Sequence, residues 1–267
     1  MARVSFRNVE KAYHPHRGPK YVAIRDFNLE TQAGEFFCLL GPSGCGKTSV
    51  LNMLAGFENP TNGEVEIDGV PIRVPGRDRA VVFQGDDSLF AWLSAIENVE
   101  FGLRMQGMPK VERRDRARHF LDLVGLSGQE LKYPTQLSGG MKQRIQLARV
   151  LANEPKMLLM DEPFAALDAQ TRLLMQEQMR MIANAAKTSV FFITHDIDEA
   201  VMLGTRIGVM KAGPGSALKG LINVPIEGER IRTDEAFMNV YREVYQMIRE
   251  EVLKVAGGAL RQTGTNQ

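Results

Sequence analysis

The sequence of 267 residues contains no apolar run long enough to cross a bilayer. Its longest such runs, Phe36 to Leu40, Met157 to Met160 and Val190 to Ile193, fall far below the roughly 18 residues a spanning helix needs. The opening stretch MARVSFRNVEKAYH lacks the apolar core of a secretory signal. Any membrane role is therefore expected to come through a partner. Cysteine is scarce: Cys38 and Cys45 lie seven apart, no disulfide framework is implied, and a reducing cytosol is the simpler expectation. Charge of one sign is missing too. The 33 Lys and Arg nearly cancel the 32 Asp and Glu, and a net charge of +1 gives no electrostatic case for nucleic acid or an anionic lipid surface. There is one tryptophan, Trp92, and neither an internal repeat nor a low-complexity tract.

What is present suits one large α/β domain with a good core. The three apolar runs read as buried strands, each ending where polar residues begin, and Val81 to Phe83 reads as a fourth. Val4, Phe6 and Val9 alternate as on a half-buried strand, as do Val65 and Ile67 before the turn Asp68-Gly69. From about residue 86 the pattern becomes helical. SAIENVEFGLRMQ and KVERRDRARHFLDLVGL are two helices broken at Gly107-Met108-Pro109, with Arg113, Arg114, Arg116 and Arg118 read as a solvated face. The expected organisation is a main domain over 1–230 with a helical insertion at about 86–150. An amphipathic helix at 231–256, marked by Phe237, Val240, Tyr241, Val244 and Ile248, and a disordered tail at 257–267 follow.

Gly41-Pro42-Ser43-Gly44-Cys45-Gly46-Lys47-Thr48 fits G-x-x-x-x-G-K-[ST]. It follows the apolar EFFCLL and precedes SVLNMLAGF, the strand–loop–helix context the motif requires. Glycines let backbone N–H groups turn inward around phosphate oxygens, and the helix N-terminus adds the positive end of its dipole. Lys47 is expected on the β- and γ-phosphates of ATP and Thr48 on Mg²⁺, with Ser49 next in the binding segment. Cys45 has two readings, a thiol with lowered pKa at a helix N-terminus or a small filler. This loop alone establishes only a nucleoside triphosphate.

Met157-Leu158-Leu159-Met160-Asp161-Glu162 is an apolar strand ending in two acids. Asp161 is placed to orient Mg²⁺, and Glu162 to polarise the water that attacks the γ-phosphate. Leu137-Ser138-Gly139-Gly140-Met141-Lys142-Gln143-Arg144 resembles the signature motif of ATP-binding cassette (ABC) ATPases. It is a second anion site, built from a serine hydroxyl and glycine N–H groups at a helix start. The resemblance implies that Ser138, Gly139 and Gly140 face an ATP held by another subunit, hence a head-to-tail dimer. It extends to Gln84 as the glutamine that touches Mg²⁺ and the attacking water, and to Ala166-Leu167-Asp168 as a loop at the dimer interface. His195, in Thr194-His195-Asp196, takes the place of the switch histidine, and Tyr13 that of the aromatic that stacks on adenine, with Tyr21 and His14 as nearby competitors. The implied fold is an α/β P-loop NTPase with a RecA-like core sheet, an antiparallel β subdomain and an inserted α-helical signature subdomain.

A narrower resemblance links VFQGDDSLFAWLSAIENVEFGL, the signature stretch and THDIDEAVMLGTRIGVMKAGPG to the ATPases of nitrate, taurine and aliphatic sulfonate importers. Ala91 and Ala165 depart from that group at positions where proline and glycine are usual. The chain reads as a bare cassette, which implies separate permease subunits, an indirect solute-binding protein and a peripheral place on the cytoplasmic face of the inner membrane. A regulatory ABC ATPase without a permease is the alternative, and a P-loop kinase of small metabolites a more distant one. Trp92 is read either as a core anchor or as part of the groove that receives a permease helix.

Overall fold

A computed structural model describes residues 1–14, 18–82, 89–165, 167–185 and 188–263. In chain order the elements are β1 (Val4–Tyr13), β2 (Tyr21–Glu30), β3 (Phe36–Leu40), α1 (Lys47–Ala55), β4 (Asn62–Ile67), β5 (Val70–Pro71), β6 (Arg79–Val82), α2 (Ala95–Met105), α3 (Lys110–Leu123), a 3-10 turn at Pro134–Gln136, α4 (Gly139–Leu151), β7 (Met157–Asp161), α5 (Ala169–Ala185), β8 (Ser189–Thr194), α6 (Ile197–Leu203), β9 (Arg206–Met210), β10 (Leu218–Asn223) and α7 (Glu235–Thr263). The chain divides into two compact units. One comprises Ala2–Gly76 and Ser189–Gln267, the other Arg77–Thr188 with Met1.

The first unit holds two sheets. β2, β1, β4 and β5 form an antiparallel sheet in that order. Burial alternates along the end of β2, from Phe27 to Glu30, while register shifts interrupt the alternation along β1. In the second sheet β3 lies between β8 and β9, parallel to both, and β10 pairs antiparallel to β9. β3 and β8 are buried at every position, which is why they read as continuous apolar runs rather than alternating ones. Phenylalanines fill the core: Phe6 meets Phe27 edge-on at 5.2 Å and Phe191 at 6.4 Å, and Phe37 meets Phe191 at 5.3 Å. The helix α7 buries Phe237, Val240 and Val244. It starts at Glu235, inside the segment expected from 231, and its helical backbone continues into the segment read as a tail.

The second unit pairs β6 with β7 in parallel and packs α2, α3 and α4 together. β6 occupies most of the strand expected at Val81 to Phe83; Phe83 itself lies outside the described residues. The helix α2 begins with a capping box, Ser94 with Glu97, whose reciprocal bonds satisfy two orphan N–H groups. Besides the helices of the expected insertion, this unit takes in β6, β7 and α5.

Candidate functional site

In the first unit the phosphate loop follows β3 and opens α1. Its shape dictates glycine at two places. Gly46 caps α1 with φ 92°, and a Cβ there would lie 2.5 Å from Ile24 Cδ1. A Cβ on Gly41 would lie 2.8 Å from Cys45 Sγ. Ser43 and Gly44 are exposed at the loop's crest and Pro42 is half-buried. Lys47 is buried, its ammonium donating to the carbonyls of Gly41 at 2.7 Å and Pro42 at 3.1 Å. The ammonium thus lies along the loop whose backbone it serves. Thr48 is exposed at the start of α1 and Ser49 is half-buried.

Of the two readings of Cys45, the structure favours the small filler. It is fully buried, its Sγ lies 3.9 Å from Met210 Sδ, and burial raises its pKa more than the nearby Lys47 lowers it. The other cysteine, Cys38, is fully buried too.

Tyr13 ends β1 and reaches α1. Its hydroxyl lies 2.9 Å from Ser49 Oγ and donates to Glu58 Oε2 at 2.7 Å. Burial raises its pKa, and Glu58 adds to the rise. Burial pushes Glu58 up as well, but bonds from Lys11, Tyr13 and Asn52 outweigh it and hold the carboxyl below its ordinary value. The ammonium of Lys11 sits 5.0 Å from the Tyr13 ring centroid. This network ties the ring beside the phosphate loop. Tyr21 pairs with Tyr13 in strand register, and both Tyr21 and His14 are exposed without comparable links to α1.

His195 is exposed directly after β8. The residues on either side of it are tightly held. Thr194 Oγ1 donates to Glu199 at 2.7 Å and accepts from the Asp196 amide at 3.0 Å, while Asp196 caps α6.

In the second unit Asp161 ends β7, half-buried, and Glu162 follows it with φ 46°. A non-glycine residue in the left-handed region is uncommon and strained, and such strain clusters at functional sites. Ser138 caps α4, its Oγ accepting from the Met141 amide at 3.3 Å. It is exposed, and Gly139 and Gly140 beside it are half-buried. A Cβ on Gly140 would meet Thr171 Cγ2 at 2.7 Å. Gln143, one turn along α4, donates to the Pro163 carbonyl and so ties the signature helix to the turn after Glu162. Asp168 has a local task. It accepts from the amides of Gln170 at 3.1 Å and Thr171 at 3.0 Å at the start of α5, and bonds from Thr171 hold its carboxyl below the ordinary value. Gln84 and Ala166 lie outside the described residues.

Trp92 is 73% exposed, which removes the core-anchor reading. It leans on Phe90 at 5.4 Å, and Phe90 in turn contacts Phe101 at 4.5 Å and lies under the Arg149 guanidinium. Phe90, Phe101 and Arg149 line a groove of about 510 Å³ together with Arg79, Gln106 and Asn153. The arginines of α3 are less solvated than expected, since Arg113, Arg114 and Arg116 are half-buried and pair outside the helix, Arg116 with Glu154. Arg113 and Arg114 bracket Glu100 at 3.7 and 3.3 Å, and Arg118 meets Asp115 at 3.1 Å.

A family profile described as ABC transporter matches residues 24–165, from β2 through the phosphate loop and signature to the turn after Glu162. The chain belongs to the ABC transporter family. It has the ATPase cassette of that family. Among its relatives, the nitrate import ATP-binding protein NrtD of Synechococcus elongatus is 44% identical over 250 residues, covering 93% of this chain and 89% of the relative. The taurine import ATP-binding protein TauB of Chromobacterium violaceum is 50% identical over 221 residues, 83% of each. The solved dimeric cassette in a post-hydrolysis state bound to ADP and Pi aligns with TM-score 0.70 at 32% identity, covering 82% of this chain and 98% of that one. The α/β P-loop architecture expected from sequence is thus the one found.

Two features of these candidate residues escaped sequence reasoning. The left-handed turn at Glu162 has no signal, since nothing in the letters Asp161-Glu162-Pro163 announces a positive φ. The anchoring of Tyr13 by Ser49 and Glu58 joins residues too far apart in sequence to be paired by pattern.

Proposed function

We propose that the chain is the ATP-hydrolysing subunit of a multi-subunit importer for a small solute of the nitrate, sulfonate or taurine kind. The observation that carries this is the coexistence of two anion-binding helix starts in separate units of one ABC cassette. One is the glycine-shaped loop that opens α1, and the other the Ser138-capped start of α4. Each suits phosphate. In our reading Gly41 to Ser49 hold the triphosphate of one ATP, and Ser138, Gly139 and Gly140 approach the γ-phosphate held by a second copy. The dimeric state of the solved relative supports this arrangement.

The residues present fit ATP and Mg²⁺. A side chain at Gly41 or Gly46 would collide with the loop's own surroundings, whereas above Gly44 there is open space. Mg²⁺ dehydrates reluctantly and is usually held by one or two protein groups plus phosphates. Thr48, Gln84 and Asp161 match that kind of donor set. When bound, Mg²⁺ neutralises charge on the transferred phosphoryl group. Glu162 polarises the attacking water and His195 steadies it, while Lys47 shifts from loop carbonyls to phosphate oxygens. The Tyr13 ring would stack on adenine, and Asp168 would stand at the dimer interface.

No helix among the described residues is long and apolar enough to cross a membrane. In our reading the exposed Trp92 and the aromatic groove beside it form the seat of a permease helix, and the subunit works at the cytoplasmic face of the inner membrane. The solute-binding protein then acts through the permease and not on this chain. Co-expression with the permease of a nitrate, taurine or sulfonate system, followed by detergent purification and ATPase assay, tests the reading. Stable co-purification with solute-stimulated hydrolysis is expected. A chain that hydrolyses ATP yet never associates with a permease would instead be the regulatory ATPase.

A further inference from the structure

The segment after β10 lies outside the residues matched to the ABC family, and sequence reasoning gave it a helix from 231 but no role. It carries two arginines with defined partners. Arg230 is 8% exposed and its Nη1 donates to three carbonyls at the end of α6: Val201 at 2.6 Å, Met202 at 3.1 Å and Gly204 at 2.7 Å. These are the carbonyls a helix C-terminus leaves unsatisfied, at the negative end of its dipole. Two residues on, Arg232 Nε donates to Asp198 Oδ2 at 2.5 Å, in the first turn of the same helix. One strand of chain thus grips α6 at both ends.

The N-terminal end of α6 carries His195 with it. Asp196 caps the helix, accepting from the amides of Asp198 at 2.8 Å and Glu199 at 3.4 Å. Thr194 Oγ1 bonds both Glu199 and the Asp196 amide. His195 is the one residue between these two anchors, and its own side chain is exposed. A shift of α6 along its axis or a tilt of its first turn moves the His195 backbone with it. The helix has only seven residues, too few to hold itself straight without external bonds.

We infer that Arg232, with Arg230 behind it, is a positioning residue for ATP hydrolysis: the segment after β10 is a strap that sets α6 and thereby aims His195. Arg232 acts through Asp198 and does not touch the nucleotide. This rests on the reading of His195 as the switch histidine. The strap also supplies a route by which anything bound to the C-terminal segment would change turnover without changing nucleotide affinity.

The test uses the full chain. Arg230 is buried, and its loss could unfold the protein, so the informative variant is Arg232→Gln at a half-exposed pair. Turnover should fall about tenfold while KM for ATP stays within about twofold, because a small misplacement of a reacting group costs rate and not binding. Arg232→Lys should recover most of the loss, since it restores the charge facing Asp198. The chain has four histidines, so the His195 imidazole resonance can be identified by its absence in His195→Ala. In Arg232→Gln that resonance should move and in Arg232→Lys return. An unmoved His195 resonance with unchanged turnover overturns the strap. Normal turnover in His195→Ala overturns the switch reading, and the resonance shift then still reports whether the strap holds α6.

Discussion

The two candidate phosphate surfaces are built differently. The phosphate loop in the first is over-determined. Gly41 and Gly46 admit no side chain, Lys47 is buried along the loop, and Cys45 plugs the space beneath. The signature start in the second also leaves no room for a side chain at Gly140, but its serine is exposed and caps α4 through a single long bond. A surface built to hold a nucleotide alone needs the first kind of construction, because binding pays for ordering unless the site is ordered already. A surface that only completes a site held elsewhere can do with the second. The contrast is what a site shared between copies should look like.

Variants in the two units should therefore fail in different ways. Glu162→Gln, in the second unit, should keep ATP binding and lose turnover by about 10²–10⁴-fold, the usual contribution of a positioned base. Single-turnover hydrolysis checks this, and near-normal rates would remove Glu162 from the chemistry. Lys47→Ala, in the first unit, should instead weaken ATP binding by about 10–100-fold, the worth of one or two charge-assisted bonds. Calorimetric titration reads it. Trp92→Ala should weaken capture of the permease by about 30-fold with basal ATPase unchanged, the effect of removing an aromatic anchor. Retained assembly would assign the groove to another occupant.

The smallest expected effect lies on α7. Burial pushes Glu251 up, but bonds from Lys254, the Ala212 amide and Lys219 outweigh it and hold its pKa at about 2, against an ordinary 4.5. A depressed carboxylate contributes stability fully present above its unfolded pKa and lost as pH falls through the folded one. Glu251→Gln should therefore be less stable than the parent chain at neutral pH by about 1–2 kcal/mol. The gap should close as pH falls from about 4.5 to about 2. Thermal or denaturant unfolding of both chains across that range measures it.

How much of this was legible beforehand follows from the range over which each signal acts. The phosphate loop, β7 with its two acids, and the helices on either side of Gly107 were readable because each is one continuous stretch with its own period or motif. Tyr13 was singled out in sequence, but what distinguishes it from Tyr21 and His14, the bonds of its hydroxyl to Ser49 and Glu58, is visible only in the fold. Cys45 was ambiguous because a thiol at a helix N-terminus and a thiol under a loop look the same in sequence; only burial separates them. Arg230 and Arg232 gave no signal, since their partners lie some thirty residues upstream and are mostly backbone carbonyls. The separation into Arg77–Thr188 and the remainder was only partly visible. The helical insertion announced itself by its period, whereas the membership of β6, β7 and α5 is a matter of tertiary contact.

The claim that the two phosphate surfaces complete each other across copies is tested most directly by sedimentation of Glu162→Gln with and without Mg-ATP, alone and combined with Ser138→Glu. With Mg-ATP the Glu162→Gln chain should sediment at twice the mass of one chain. Adding Ser138→Glu should return it to a single chain that still binds ATP, since a carboxylate then opposes the partner's γ-phosphate. A dimer that forms equally well with Ser138→Glu, or a Glu162→Gln chain that binds ATP and remains single, would contradict the account.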